Sequence, residues 1–242
     1  MIFDVMKKIK IFAKKNKVLN QILVPVYYWF MNFGIFNIFT YWEKRYKHGN
    51  SGSGSFGKLA IFKAEVINNF VEEKKIHSVL EFGCGDGNQL DLFNIKKYIG
   101  LDISNKSIEL CIKKFNQDNK KSFFLYHPSC FIDNHDIFKS DAALSLDVIY
   151  HLVNDEVFSR YMNDLFLCAN KYVIIYSSNT TSQEKYQLKH VLHRKFTDWI
   201  ETYAPDWKLI KIIHNKYPLK TYNFEDESWS DFYIYEISGT HS

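Results

Sequence analysis

The stretch that decides the fold is Ile76-His-Ser-Val-Leu-Glu-Phe-Gly-Cys-Gly-Asp-Gly87, followed by Tyr98-Ile-Gly-Leu-Asp102. Ile76–Phe82 reads as a buried strand, and Gly83–Gly87 as a turn into a short helix. Tyr98–Asp102 reads as a second strand that ends in an acid. Ser104 can cap a following helix whose apolar face is Ile108, Leu110, Cys111 and Phe115. This is a βαβ unit with a glycine-rich first turn. Glycine lets the backbone turn sharply and approach a ligand without a Cβ in the way. Asp102 follows Gly83 by 19 residues, a spacing at which an acid can accept both hydroxyls of a ribose. Glu81, just before the turn, is placed to meet an ammonium group.

The same alternation continues outward. Strands are expected at Ser122–Tyr126, Ala142–Leu146, Tyr172–Ser177, Trp207–Ile213 and Phe232–Glu236. Helices are expected at Asp155–Leu167, capped by Asn154, and around Trp199 and Ile200, opened by Thr197. A dinucleotide site would place its third glycine three residues after the second; here the pattern is Gly-x-Gly-x-Gly.

At this point the sequence resembles the class I S-adenosylmethionine (SAM) methyltransferases, whose first motif is acid-x-Gly-x-Gly-x-Gly. The resemblance covers about residues 42–238 and implies a Rossmann-like α/β fold. That fold has a seven-stranded, mostly parallel sheet with an antiparallel last strand and helices on both faces. It implies that SAM is the methyl donor, S-adenosylhomocysteine (SAH) the product, and that no metal is needed. The cofactor side would then comprise Glu81, Gly83, Cys84, Gly85, Gly87, Asp102, Ile103, Tyr126, His127 and Asp147. An acid near the end of strand three often holds the adenine in this family. Here the region is Tyr126-His-Pro-Ser-Cys130, so Tyr126 or His127 is expected to stack on the base or bond it.

Ligands of open α/β sheets lie beyond the carboxyl ends of the strands. That rule points to Asp147-Val-Ile-Tyr-His151, to Ser178 and Asn179, and to Lys189-His-Val-Leu-His-Arg-Lys195. His151 is the first candidate for a general base, Tyr150 the second. His190, His193 and Arg194 could clasp an anion. For each of these a structural role is the competing reading. His48-Gly-Asn-Ser-Gly-Ser-Gly-Ser-Phe-Gly57 reads either as a linker or as a lid or amide-rich anion cradle over an active site, with Ser51, Ser53 and Ser55 as substrate-binding candidates.

Trp42-x-x-x-Tyr46, Ser51–Ser55, Val148–Val153, Tyr176–Asn179 and His193–Trp199 also look like a bacterial subfamily of small methyltransferases. Those are associated with surface-polysaccharide assembly, including methylation of sugars or capsule phosphoramidates. The resemblance implies an O-methyltransferase acting on a small, polar, often anionic acceptor that is a glycan precursor. The alternatives are a nucleic-acid methyltransferase, notably of RNA, and a non-catalytic SAM-binding protein. An NAD-dependent oxidoreductase is a distant fourth.

Charge bears on location. The chain has 242 residues, 31 basic and 27 acidic, for a net of +4. Residues 1–17 carry six Lys against Asp4, so the remainder is −1. That balance disfavours a broad nucleic-acid face, and the Asn-Pro-Pro-Tyr type of motif is missing after strand four. Val18–Trp42 holds 25 residues without a charge, interrupted by Pro25 and Gly34 and rich in aromatics. The expected division is a basic, aromatic arm over 1–45 and a methyltransferase domain over 46–242. Three readings of the arm stay open: packing on its own domain or in a homodimer, lying on an anionic membrane, or spanning one. No small-residue cleavage site follows, which argues against a secretory signal. The four cysteines, at 84, 111, 130 and 168, have no metal-ligand spacing and suit a reducing, cytoplasmic setting.

Overall fold

In the computed structural model, residues 37–49, 51–183, 188–221 and 223–239 are described. Most of the arm, including the lysine cluster and Val18–Phe36, lies outside them. Five helices and seven strands follow in chain order within these residues. They are α1 (Ile38–His48), α2 (Gly57–Glu73), β1 (Ser78–Phe82), β2 (Lys97–Asp102), α3 (Asn105–Lys114) and β3 (Lys121–Leu125). Next come β4 (Ser140–Leu146), α4 (Asp155–Leu167), β5 (Ala169–Ser177), α5 (Phe196–Tyr203), β6 (Trp207–Ile213) and β7 (Asp231–Ile237).

The strands form one sheet in the order β3-β2-β1-β4-β5-β7-β6. The first five run parallel, and β7 inserts antiparallel between β5 and β6. This is the expected sheet with its antiparallel last strand. The strand pleat divides the core. Val79, Ala142 and Ile174 meet Phe62, Ile67 and Phe70 of α2 on one face. Leu80, Ala143, Val173 and Ile175 meet Phe158, Met162 and Leu165 of α4 and Ile200 of α5 on the other. Both faces are covered, so the central strands read as nearly continuous apolar runs.

Two local expectations change. The helix expected after the glycine turn is a single 3-10 turn, Leu90–Leu92. Asn88, Asn94 and their neighbours instead bond outward, Asn88 to the Ser55 carbonyl and Asn94 N to Asn68 Oδ1 at 2.8 Å. Helix α2 has no counterpart in the sequence reading. Its buried face runs through Leu59, Phe62, Ile67, Phe70 and Val71, but also includes Lys63, and that lysine interrupts the apolar signature.

The described end of the arm packs on its own domain. Asn37 caps α1 by accepting from Thr40 N at 2.9 Å. Glu43 accepts from Ser104 Oγ at 2.7 Å and Lys106 N at 3.1 Å, so it sits at the N-terminus of α3. There the helix dipole favours a negative charge. Among the described residues no helix is long and apolar enough to cross a membrane.

Candidate active site

A cavity opens at the carboxyl ends of β1, β2 and β4 and is roofed by α1. Its floor is the glycine turn. Gly83, Gly85 and Gly87 have φ of 84°, 60° and 71°, backbone that other residues rarely adopt. A Cβ on Gly83 would lie 2.4 Å from Val148 Cγ2, and one on Gly87 would lie 2.6 Å from the Phe115 ring. Gly87 thus serves close packing of the turn on α3 and does not line the cavity; Gly83 and Gly85 do.

Asp102 holds the turn in shape. Its buried carboxylate accepts from Gly85 N at 3.0 Å and from Ser104 N at 2.9 Å. Burial raises its pKa, against these amides, which favour the charged form. Glu81 is also buried and lines the cavity. Burial pushes its pKa up to about 7, while the hydrogen bond from Tyr98 Oη, at 2.6 Å, and the charge of Lys63 work the other way. Gln89 Oε1 is buried without a partner, although its Nε2 donates to the Ala60 carbonyl at 3.0 Å. An orphaned acceptor and a buried carboxyl lining one cavity are what an ammonium group would satisfy. The residues present therefore fit the amino-acid end of SAM on Glu81 and Gln89 and its ribose on Asp102.

An apolar slot continues between Ile38, Phe39, Ile103, Tyr126, Pro128, Leu152 and Val157. The Tyr126 hydroxyl is taken, donating to Asp164 Oδ2 at 2.8 Å. The Asp164 carboxyl is itself raised to about 6 by burial. Tyr126 can offer the slot its ring face but not its hydroxyl. His127 does not line the cavity; its ring stacks on Phe39 with centroids 4.5 Å apart.

On the far side lie Asp147, Tyr150 and His151. Asp147 follows β4 with φ of 59°, a left-handed conformation that strains a non-glycine residue. Its Oδ2 pairs with Lys63 Nζ at 2.8 Å and its Oδ1 accepts from Ser230 Oγ at 3.0 Å. Lys63 is 1% exposed, so this ion pair is built into the cavity wall. Burial and the Asp147 charge raise the Tyr150 phenol well above its usual range, so it stays protonated. His151 Nδ1 lies 2.7 Å from the His190 carbonyl. A carbonyl can only accept, so Nδ1 carries the proton and Nε2 is bare. Burial lowers the His151 pKa to about 4, so the ring is neutral at pH 7.

Ser178, Asn179, His190, His193 and Arg194, the other polar candidates beyond the strand ends, do not line the cavity. Ser178 Oγ bonds His193 Nδ1 at 2.7 Å, and Asn179 bonds Thr197. Arg194 donates to the Leu152 carbonyl at 2.6 Å and the Val153 carbonyl at 3.3 Å, and pairs with Asp155 at 2.6 Å. Burial depresses the His190 pKa to about 3, and Tyr41 Oη lies 3.2 Å from its Nε2. Ser51 and Ser55 line the cavity, as does Cys84 on the turn; Ser53 does not, and bonds the Phe224 carbonyl. Ser51 bonds Asp86 through both its amide and its hydroxyl, so the serine-glycine segment is tied to the glycine turn.

Lining residues that sequence reasoning missed are Lys63, Gln89, Tyr161 and the roof residues Ile38 and Phe39. Trp42 and Tyr46, noticed for their spacing, join the roof one helical turn apart. Among the described residues no cluster of three or more His, Cys, Asp or Glu could hold a metal ion.

Comparison with known proteins agrees with the fold. Residues 59–150 match the model of the mRNA (guanine-N(7))-methyltransferase domain. N-methyltransferase NodS from Bradyrhizobium japonicum WM9, in complex with S-adenosyl-L-homocysteine, superposes with a TM-score of 0.66 at 10% identity, over 84% of this chain and 100% of that one. Magnesium protoporphyrin IX methyltransferase from Synechocystis PCC 6803, with bound SAM, gives 0.59 at 14% identity, over 85% and 99%. The small RNA methyltransferase HEN1 gives 0.57 at 17% identity, over 77% of this chain and 26% of that one. No curated protein sequence matches the chain. At these identities the structural likeness is one of fold. Sheet order, glycine turn and terminal acid are those of the class I SAM-dependent methyltransferase fold, and the methyltransferase family match falls on the half of the sheet that carries the turn and the acid.

Proposed function

We propose that the chain methylates a hydroxyl of a small polar acceptor, a sugar or a phosphate-bearing glycan precursor of bacterial surface polysaccharide, with His151 as general base. The observation that carries the base assignment is the neutral ring of His151, a cavity-lining residue whose Nδ1 proton is committed to a carbonyl, which leaves Nε2 bare. When bound, SAM supplies an activated methyl group on a sulfonium. Glu81 and Gln89 hold its ammonium and Asp102 its ribose, while the Ile103–Tyr126 slot covers the adenine. The roof of α1 excludes water and limits the acceptor to a small group. His151 Nε2 takes the hydroxyl proton as the acceptor oxygen becomes an ether, whose protonated form is a strong acid. A base with pKa of about 4 is therefore sufficient. Alignment of the two reactants supplies most of the acceleration, roughly 7–11 kcal/mol. The polysaccharide setting rests on the sequence strings from Trp42 to Trp199, and Arg194 and His193 do not take part in acceptor contact in this reading.

The match over residues 59–150 favours a second reading, methylation of RNA. One experiment separates the two. The purified chain with radiolabelled SAM is offered nucleotide sugars, phosphoramidates and, separately, unmethylated capped RNA. Label in the sugar or phosphoramidate pool supports the first reading. Label in RNA alone overturns it.

A further inference from the structure

The loop 188–195, read from sequence as an anion clasp, grips the chain around His151 at several points. The His190 carbonyl receives the His151 Nδ1 proton at 2.7 Å. Leu192 N donates to the Tyr150 carbonyl at 2.8 Å. Arg194 reaches the carbonyls of Leu152 and Val153 and the Asp155 carboxylate. One of these bonds is main chain to main chain and the rest come from the His151 and Arg194 side chains, and together they lay the loop along residues 150–153. The far side of the loop is anchored in turn. His193 Nδ1 bonds Ser178 Oγ at 2.7 Å, and the Gln183 amide bonds both the N–H and the carbonyl of His193, at 3.0 and 2.7 Å.

We propose that Arg194 is a positioning residue: its fork on the Leu152 and Val153 carbonyls holds the His190 carbonyl on His151 and so fixes which ring nitrogen is bare. This rests on His151 being the base. An imidazole exchanges freely between two tautomers unless a partner selects one, and only the Nδ1–H form leaves Nε2 able to take a proton. A base in the wrong tautomer cannot work, however well the cofactor is held. The side chain is 14% exposed and spends its donors on backbone carbonyls and Asp155. That use of a guanidinium fork suits locking of backbone rather than capture of a mobile anion.

The test needs no acceptor. The full chain, labelled with 15N in histidine and saturated with SAH, is examined by long-range 15N–1H correlation at pH 7. The wild type should show one histidine with a protonated Nδ1 and a bare Nε2 that disappears in His151→Gln. In Arg194→Ala that pattern should give way to mixed tautomers, with SAH affinity within about twofold of wild type. Arg194→Lys keeps the charge, loses the fork and should show the same mixing, which covers a failure of the alanine variant to fold. An unchanged Nδ1–H pattern in either folded variant overturns the positioning role. Absence of the pattern in the wild type overturns the base reading itself, and failure of SAH to bind overturns the cofactor reading instead.

Discussion

Asp102→Asn isolates the carboxylate that ties β2 to the glycine turn. The side chain keeps its shape, but only one of its two end atoms can now accept. If the amide oxygen stays on Ser104 N, the new NH2 group faces Gly85 N–H, donor against donor. One charge-assisted bond is lost, worth about 1.5–3 kcal/mol, and a buried amide is left unpaired. The stability of the ligand-free protein changes less than this, because burial already raises the Asp102 pKa and removing a buried charge returns its desolvation. Binding has no such offset, since in the proposed reading the ribose loses its anionic acceptor, and Gly85 loses its anchor. At about 1.4 kcal/mol per tenfold, the expected loss is roughly 10- to 150-fold in SAH affinity. Isothermal titration calorimetry with SAH at pH 7.5 measures it, and a thermal melt confirms the fold. A dissociation constant within about threefold of wild type would refute the role of Asp102 in both turn and cofactor.

Glu81, with a folded pKa of about 7 against an ordinary 4.5, favours the ligand-free fold when protonated. That contribution is present below pH 4.5 and is lost as pH rises through 7, by about 3 kcal/mol. Glu81→Gln should therefore melt higher than wild type at pH 8 and show less pH dependence, while binding SAM more weakly. An unchanged melting profile contradicts this. Gly83→Ala forces a Cβ against Val148 at φ of 84°; SAH binding should fall by at least about tenfold, from about 1–2 kcal/mol of backbone strain plus displacement of the turn. His151→Gln should lower turnover roughly 10²–10⁴-fold with the SAM KM unchanged. Wild-type turnover at saturating SAM should show no acid limb near pH 6.5, since His151 titrates at about 4. Glu43→Ala removes the acceptor for Ser104 and Lys106; α1 should loosen and limited proteolysis should cut faster within residues 37–49.

The sheet was legible because its information is local. Strands β1 and β2 announce themselves by apolar runs, and the glycine spacing and Asp102 mark the turn between them. These features depend on backbone geometry within a few residues. The same locality explains one failure. Lys63 spoils the apolar face of α2, and nothing nearby reveals that its charge meets Asp147, 84 residues away in sequence.

The polar strings show the limit from the other side. Ser178, His193 and Arg194 have the chemistry of a ligand site, and a sequence states which groups can bond but not which partners reach them first. Tertiary structure gave those groups to one another and to the backbone around His151, because buried donors and acceptors must be satisfied. It also brought α1 over the cavity, where Trp42 and Tyr46 replace solvent as the roof. By itself the sequence determined the class of fold and the glycine turn with its terminal acid, where residue type and spacing set the backbone directly. Only the tertiary structure decided which imidazole is left with a bare nitrogen, because the carbonyl that fills its other side arrives from a loop 39 residues further on.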